Sequence, residues 1–139
     1  MTDFVLDASI ALAWCFDDEA TTLTRQVLER LVSEAASVPG IWHLEIANGL
    51  AVSERRSRIS RADSIEFIEA LGSLVILADE QTSSRALGRI LDLAREERLT
   101  AYDAAYLELA MRLGVPLASK DQALCDAAER LGVTVMRGG

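Results

Sequence analysis

The sequence predicts an α/β domain in which short, mainly parallel strands lie between layers of helices. Short apolar runs of strand length alternate with longer segments whose apolar residues recur at helical spacing. The 139 residues are close to the common single-domain size of roughly 100–150 residues, and no Gly/Ser linker, composition break or internal repeat divides them. Half of the residues are hydrophobic and 26% charged, with 8 Gly and 2 Pro, which excludes collagen-like, low-complexity and disordered classes. The expectation is one domain over residues 1–139.

Phe4-Val5-Leu6 is an apolar run of strand length that stops at Asp7, and the uncharged stretch Ala8 to Phe16 suits a buried helix. Glu19 to Ala36 carries Leu23, Val27, Leu28, Leu31 and Val32 at helical spacing and reads as one helix. Val38-Pro39 breaks the pattern because the residue before a proline is held extended, so a second strand fits only Ser37 to Val38. Helices follow over Trp42 to Arg56 and Arg61 to Leu71, then a buried strand over Leu74 to Leu77. Ser84 to Arg98 and Thr100 to Leu113 read as helices, Pro116 to Ala118 as a short strand, Asp121 to Leu131 as a helix and Val133 to Met136 as a final strand. Strands separated by helices favour a parallel sheet covered on both faces, a three-layer α/β/α arrangement.

Several classes are excluded. The uncharged runs Ala8 to Phe16, Ala35 to Leu44 and Ala70 to Ala78 fall far short of the roughly 20 apolar residues that a membrane span needs. The N-terminus has no basic segment and carries Asp3 and Asp7 where a signal peptide is apolar, so a cytoplasmic protein is expected. Cys15 and Cys125 lack CxxC or Cys/His spacing, which leaves buried, reduced thiols as the expectation. With 14 basic against 22 acidic residues, the formal charge of −8 argues against a protein that coats nucleic acid through overall charge. A nuclease that gathers carboxylates around a divalent cation remains compatible with it.

Ligands of open parallel sheets collect at the carboxyl ends of the strands. Four acids fall at or near that edge: Asp7 after the first strand, Glu45 and Asp103 in the first turns of two helices, and Asp121 after the Pro116 strand. Each also has a capping explanation. Asp7 and Asp121 precede helices, Thr100-x-x-Asp103 has capping-box spacing, and Glu45 suits the helix dipole. As a group they point further, since two carboxylates about 4 Å apart repel by roughly 4 kcal/mol at an effective dielectric of 20. Four converging acids therefore need protons or a cation, and hard oxygen ligands without His or Cys point to Mg²⁺ or Mn²⁺.

Phe4-Val5-Leu6-Asp7-Ala8-Ser9, Trp42-His43-Leu44-Glu45-Ile46-Ala47-Asn48, Thr100-Ala101-Tyr102-Asp103-Ala104-Ala105-Tyr106 and Leu117-Ala118-Ser119-Lys120-Asp121 resemble, in order, the acidic motifs of PIN-domain ribonucleases. More narrowly, the chain resembles VapC-type toxins of bacterial toxin–antitoxin pairs, with Ser119 where the family often has Thr. The resemblance implies a PIN-like α/β/α domain and a Mg²⁺- or Mn²⁺-dependent endoribonuclease acting on RNA such as tRNA. It also implies a homodimer neutralised by a cognate VapB-type antitoxin, and no membrane partner. Asp7, Glu45, Asp103 and Asp121 become the implied metal-binding and catalytic carboxylates, with Ser9, Asn48, Ser119 and Lys120 near them as supporting or substrate-positioning groups. Asn48 shares a helix face with Glu45, where it either orients a ligand or makes an interhelical bond in the core. Ser9 either reaches the ion through water or closes the turn after Asp7.

Other residues are weighed against these. His43 points to a different helix face from Glu45, and one histidine cannot supply both an acid and a base. Arg55, Arg56, Arg58 and Arg61 either contact RNA phosphates or form a solvated helix end, whereas Lys120 is a phosphate candidate because it adjoins Asp121. Trp14, Trp42, Tyr102 and Tyr106 are read mainly as packing, Tyr106 above all. The alternatives are an aspartyl-phosphate receiver or phosphatase and an inactive PIN-like binding module. The phosphatase needs a second acid where Ser9 stands, a receiver needs a phospho-accepting Asp and a Lys that Asp79 and Lys120 fit poorly, and all four motif acids are present. Leu23, Val27, Leu28, Leu31 and Val32, with Leu50, are expected to form a groove for an antitoxin helix.

Overall fold

Phe4, Val5 and Leu6 have no exposed surface and form β1 (Phe4–Leu6), a central strand of the sheet. The computed structural model describes residues 2–138. After β1 come α1 (Ala8–Ala13), a 3₁₀ turn (Asp17–Glu19), α2 (Thr22–Arg30), β2 (Ala36–Val38), α3 (Trp42–Arg55), α4 (Arg61–Leu71) and β3 (Ile76–Ala78). The chain continues through α5 (Thr82–Arg85), a π turn (Ala86–Ile90), α6 (Leu91–Glu97), α7 (Ala101–Leu113), β4 (Leu117–Ala118) and α8 (Gln122–Arg130). The strands pair in the order β3-β2-β1-β4, all parallel, so the fold is the expected α/β/α domain. Helices α1, α2 and α3 pack together, and α7 packs against β1, β4, α6 and α8. Among the described residues no helix is long and apolar enough to cross a membrane.

The order 3-2-1-4 reverses direction between β1 and β4, and crevices open at such switch points beyond the carboxyl ends of the strands. Asp7 leaves β1 at this point, and Ser119 to Asp121 leave β4 beside it, with the Asp7 N–H donating to the Ala118 carbonyl at 2.9 Å. Helix α3 reaches the same edge because Gly49 lets it lie against α1. A Cβ at Gly49 would stand 2.6 Å from a Leu12 methyl, so a side chain there forces Leu12 aside.

Several elements differ from the sequence expectations. The single helix over Glu19 to Ala36 is a 3₁₀ turn, α2 and the start of β2. A capping pair of Thr21 and Thr24 starts α2, and the Asp3 carboxylate accepts the Ala35 N–H at 2.9 Å, drawing that segment into the sheet. The α1 helix ends at Ala13, short of Phe16. The buried strand over Leu74 to Leu77 is β3, shifted to Ile76–Ala78 and largely exposed because it forms a sheet edge. The helix over Ser84 to Arg98 begins at Thr82 and is interrupted at Gly88, whose φ of −115° and ψ of −105° leave the helical region. The final strand over Val133 to Met136 reduces to one parallel bridge, Leu117 to Val135, since two-residue β4 offers little edge to pair with.

The expected partner groove along α2 does not form. Val27, Leu31 and Leu50 belong to the core, and only Val32 is largely exposed. Both cysteines are free thiols, Cys125 buried as expected but Cys15 only half-buried beside a surface hollow.

Buried charge anchors the C-terminal half of α7. Arg112 donates to Asp79 Oδ2 at 2.6 Å and to Glu108 Oε2 at 2.9 Å, with Glu108 almost fully buried. Burial pushes the Asp79 carboxyl up, but the Arg112 hydrogen bonds and charge, with the Gln81 N–H and the Thr82 hydroxyl, together outweigh it and hold the group below its ordinary value. Removing one member of a buried pair strands the other charge. Arg112→Ala is therefore expected to destabilise the fold by about 3 kcal/mol, read from urea unfolding. A loss under about 1 kcal/mol, the range of exposed pairs, would show that this network is screened like a surface one.

Candidate active site

Asp7 stands at the N-cap of α1, yet its side chain makes no capping bond to that helix. Its Oδ2 instead accepts from Ser119 Oγ at 2.6 Å and from Ser9 Oγ at 2.9 Å. The same two hydroxyls accept in turn, Ser119 from the Asp121 N–H at 3.0 Å and Ser9 from the Lys120 N–H at 3.1 Å. Ser9 and Ser119 thereby tie the loop after β4 to the end of β1. Ser9 touches the Asp7 carboxylate directly, which goes beyond closing a turn.

Glu45 rises from the first turn of α3, half-buried, and its Oε1 accepts from the Tyr106 hydroxyl at 2.5 Å. The same hydroxyl accepts from the Ala8 N–H at 3.3 Å. The packing expected of Tyr106 is present, since the residue is fully buried, and its hydroxyl also joins α7, α3 and the start of α1. The sequence shows that Tyr106 shares a helix face with Asp103, three residues earlier, but not that its hydroxyl has partners on other elements. Asp103 sits in the first turn of α7, where its backbone N–H is capped by Thr100 Oγ1 at 3.1 Å; its carboxylate does not complete a capping box. Asp121 does cap, accepting the Leu124 N–H at 2.9 Å through Oδ1.

The four carboxylates stand in one another's fields. Burial, and then the charge of Asp121, raise the Asp7 carboxyl against the lowering effect of its two serine hydrogen bonds. Burial and the charges of Asp7 and Asp103 raise Glu45, although the Tyr106 hydrogen bond lowers it. Burial, then Asp121 and Asp7, push Asp103 up to about 6. Among the described residues none of the four forms an ion pair, so the repulsion is unrelieved. Burial, the Asp7 charge and the hydrogen bond to Glu45 raise the Tyr106 hydroxyl well above the ordinary phenol range, which keeps it a donor.

Among the described residues no three His, Cys, Asp or Glu side chains converge into a ready ligand cage. The donor set still fits a small hard cation. All four donors are carboxylates, three of them, Asp7, Glu45 and Asp103, with raised proton affinity, and Mg²⁺ retains several waters and needs only one or two direct protein ligands. The other supporting candidates separate. Asn48 is exposed, which excludes the core hydrogen bond, and lines a hollow of about 320 Å³ with Ser9 and Lys120. The Lys120 ammonium donates to Glu19 at 3.1 Å, and Glu19 also binds Arg58 at 2.7 Å. Arg58, bound to Asp18 as well and stacked 3.8 Å over Phe16, is structurally engaged, while Arg55, Arg56 and Arg61 are exposed. His43 is exposed, edge-on to Trp42 at 5.0 Å. Tyr102 is 62% exposed beside Asp103, contrary to a packing role. Asp79 is held by Arg112, and Ser9 occupies the place of a phosphatase's second acid.

The raised carboxyls give a pH dependence of defined sign. The native state holds its protons to higher pH than the unfolded chain, so without divalent cations stability falls as pH rises from about 4 to about 6 and levels above that. Asp103→Asn removes one of the repelling charges. In EDTA at pH 7.5 it is expected to stabilise the protein by about 1 kcal/mol, after discounting for solvent screening of a partly exposed group. Thermal melts should show the gain vanishing near pH 4, and a gain independent of pH would exclude charge repulsion as its cause.

Comparison with known proteins places nearly the whole chain in a family. A family model described as PIN domain matches residues 4–130. The chain is 30% identical over 128 residues to VapC ribonuclease Mb0985 of Mycobacterium bovis and to ribonuclease VapC9 of Mycobacterium tuberculosis, over 90% of this chain and 91% of each relative. Among solved structures, PAE2754 from Pyrobaculum aerophilum superposes with a TM-score of 0.71 at 23% identity, covering 96% of this chain and 90% of that one. FitAcB from Neisseria gonorrhoeae gives 0.66 at 19% identity, covering 97% of both chains. A toxin–antitoxin complex from Klebsiella pneumoniae gives 0.64 at 16% identity, covering 99% of this chain and 98% of that one. An all-parallel 3-2-1-4 sheet, four acids in the motif order and a family match across nearly the whole sequence have one reading: the chain belongs to the PIN-domain family.

Proposed function

We propose that this protein is a Mg²⁺- or Mn²⁺-dependent endoribonuclease of the toxin–antitoxin type, with structured RNA such as tRNA as substrate. The observation that carries the reading is the group of four carboxylates, Asp7, Glu45, Asp103 and Asp121, linked by charge repulsion through Asp7 and Asp103 beside the switch point of the sheet, with no basic side chain paired to any of them among the described residues. The two VapC relatives are named as ribonucleases, which supports RNA as the substrate class.

Asp7, Glu45 and Asp103 would hold the ion, with Asp121 reaching it directly or through water. When bound, a divalent ion supplies charge stabilisation at a phosphoryl oxygen and makes water a stronger acid. Ser9 and Ser119 hold Asp7 Oδ2 and so leave its other oxygen for the ligand. Water attacks phosphorus, the bond to the 3′ oxygen breaks, one carboxylate accepts the proton of the attacking water, and the departing 3′ oxygen takes a proton from solvent. The products are a 5′-phosphate and a 3′-hydroxyl, and the RNA 2′-hydroxyl takes no part. Asn48 and Lys120 line the hollow beside Ser9 and would meet flanking phosphates, and exposed Tyr102 would meet a base.

Asp7→Asn, Glu45→Gln and Asp103→Asn should each keep the fold and lower cleavage at least about 100-fold. Asp121→Asn should be the most tolerated, because asparagine caps a helix as aspartate does. Activity removed by EDTA should return with Mg²⁺ or Mn²⁺ and poorly with Ca²⁺, whose larger coordination sphere holds water and phosphate less favourably. Mapping of RNA ends after incubation checks both points, and an Asp7/Asp103 double variant that still cut RNA at the wild-type rate would sink the proposal.

A second prediction concerns partners. The hollow of about 700 Å³ between the 3₁₀ turn and α4 has a Trp14, Phe16 and Phe67 lining with Asp17, Asp18, Asp63 and Glu66 around it, suited to an antitoxin helix with both apolar and basic residues. A separate apolar groove between α3, α4 and β3, beside exposed Ile68 and Leu77 at the free sheet edge, is suited to a second copy of the chain. Sedimentation should give a dimer alone and a larger complex with antitoxin. Neutralising a basic residue in the antitoxin's tail should relieve inhibition while binding persists, because that residue would occupy the acidic cluster. Equal inhibition after deletion of the tail would assign it to steric blockage of RNA instead.

A further inference from the structure

Tyr106 has no exposed surface, and its hydroxyl is the only side-chain polar group of α7 that meets both α3 and α1 among the described hydrogen bonds. A phenol has one proton to donate and lone pairs to accept with. The proton goes to Glu45 Oε1 at 2.5 Å, within the short range typical of a hydroxyl donating to a carboxylate. A lone pair takes the Ala8 N–H, one of the donors that the first turn of a helix leaves unsatisfied. Asp7, the N-cap residue, is positioned to serve the N2 and N3 donors rather than this one, and its Oδ2 is engaged by the Ser9 and Ser119 hydroxyls.

These contacts divide the labour at the site. Tyr106 satisfies the N1 donor of α1, which an N-cap side chain does not serve. The same oxygen fixes one oxygen of Glu45, a side chain with three rotatable bonds that the charges of Asp7 and Asp103 would otherwise push away. Because Tyr106 follows Asp103 by three residues, one rigid helix face carries both an acid and the hydroxyl that orients a second acid. The ring fills the core, but filling requires no hydroxyl, and a buried hydroxyl is retained only where it finds partners.

We propose that Tyr106 is a positioning residue that sets the Glu45 carboxylate and the start of α1 against Asp103, so that the acids meet a divalent cation in one arrangement. The inference rests on the metal-dependent reading given above. Groups that orient metal ligands typically contribute about 10–100-fold in metal affinity.

The test is Mn²⁺ binding to the full chain at constant pH, followed by calorimetry and by the electron paramagnetic resonance of free Mn²⁺, with melting in EDTA alongside. Tyr106→Phe keeps the ring and removes only the hydroxyl. It is expected to weaken Mn²⁺ binding by about 10–100-fold while the protein still melts cooperatively. In a Glu45→Gln background the same change should weaken binding little further, because the hydroxyl acts through Glu45. Wild-type affinity in Tyr106→Phe, or an equal loss in both backgrounds, overturns the inference while leaving the metal reading intact. Absence of Mn²⁺ binding by the wild-type chain overturns both. If Tyr106→Phe does not fold, Glu45→Asp retains a carboxylate but withdraws it from the hydroxyl. It should lose Mn²⁺ affinity to a similar degree, and undiminished binding there overturns the inference equally.

Discussion

Bringing carboxylates together at the end of a hydrophobic sheet is the constraint on which the rest of the structure depends. Asp7 is almost wholly buried and follows a strand without exposed surface, so its ionised form lacks the water that normally stabilises it. Two serine hydroxyls replace part of that hydration. They come from opposite sides of the switch point, Ser9 from α1 and Ser119 from the loop after β4, so the bonds that satisfy Asp7 also set the crevice. The repulsion among the acids remains, and it is the free energy that a bound cation would recover.

The helices are placed to maintain that arrangement. Gly49 admits α3 close to α1, which brings Glu45 near Asp7. Helix α7 enters with Asp103 and Tyr106 on one face and is held at its far end by the Arg112 pair with Asp79 and Glu108. The two ends of α7 thus use charge in opposite ways. At one end acids repel without partners, and at the other they are matched by a guanidinium.

Basic groups are few in this acidic chain, and several near the site are already engaged. Lys120 and Arg58 share Glu19, and Arg58 also binds Asp18 and covers Phe16. The acidic cluster itself stays unpaired, although two cations lie close enough to line the adjoining hollow. On the proposed function, a polyanionic substrate approaching a chain of formal charge −8 would meet local rather than overall attraction, from a bound ion and the few oriented polar groups.

Much of the fold was legible in the sequence because it is written in local pattern. Phe4-Val5-Leu6 before Asp7, the capped helix from Thr100, and the helix over Arg61 to Leu71 need only periodicity and end signals to be found. The four acids were also visible, since each stands at a strand end or in a first helical turn. What local pattern could not supply was pairing. The apolar spacing of α2 runs on past its end, and only the bonds of Asp3 with Ala35 and the pairing of Ala36 with Phe4 make the following residues a strand. Exposure of β3 follows from its place at the edge, and the fate of Val133 to Met136 from the shortness of β4. Tyr106 carried no distinguishing local signal of function, because a buried aromatic on an apolar helix face looks the same whether or not its hydroxyl has a partner 61 residues away. The sequence by itself determined most of the elements, the positions of the four acids and the family. Tertiary structure alone decided which groups hold those acids, because a hydrogen bond between distant segments depends on how helices cross and not on the residues beside it.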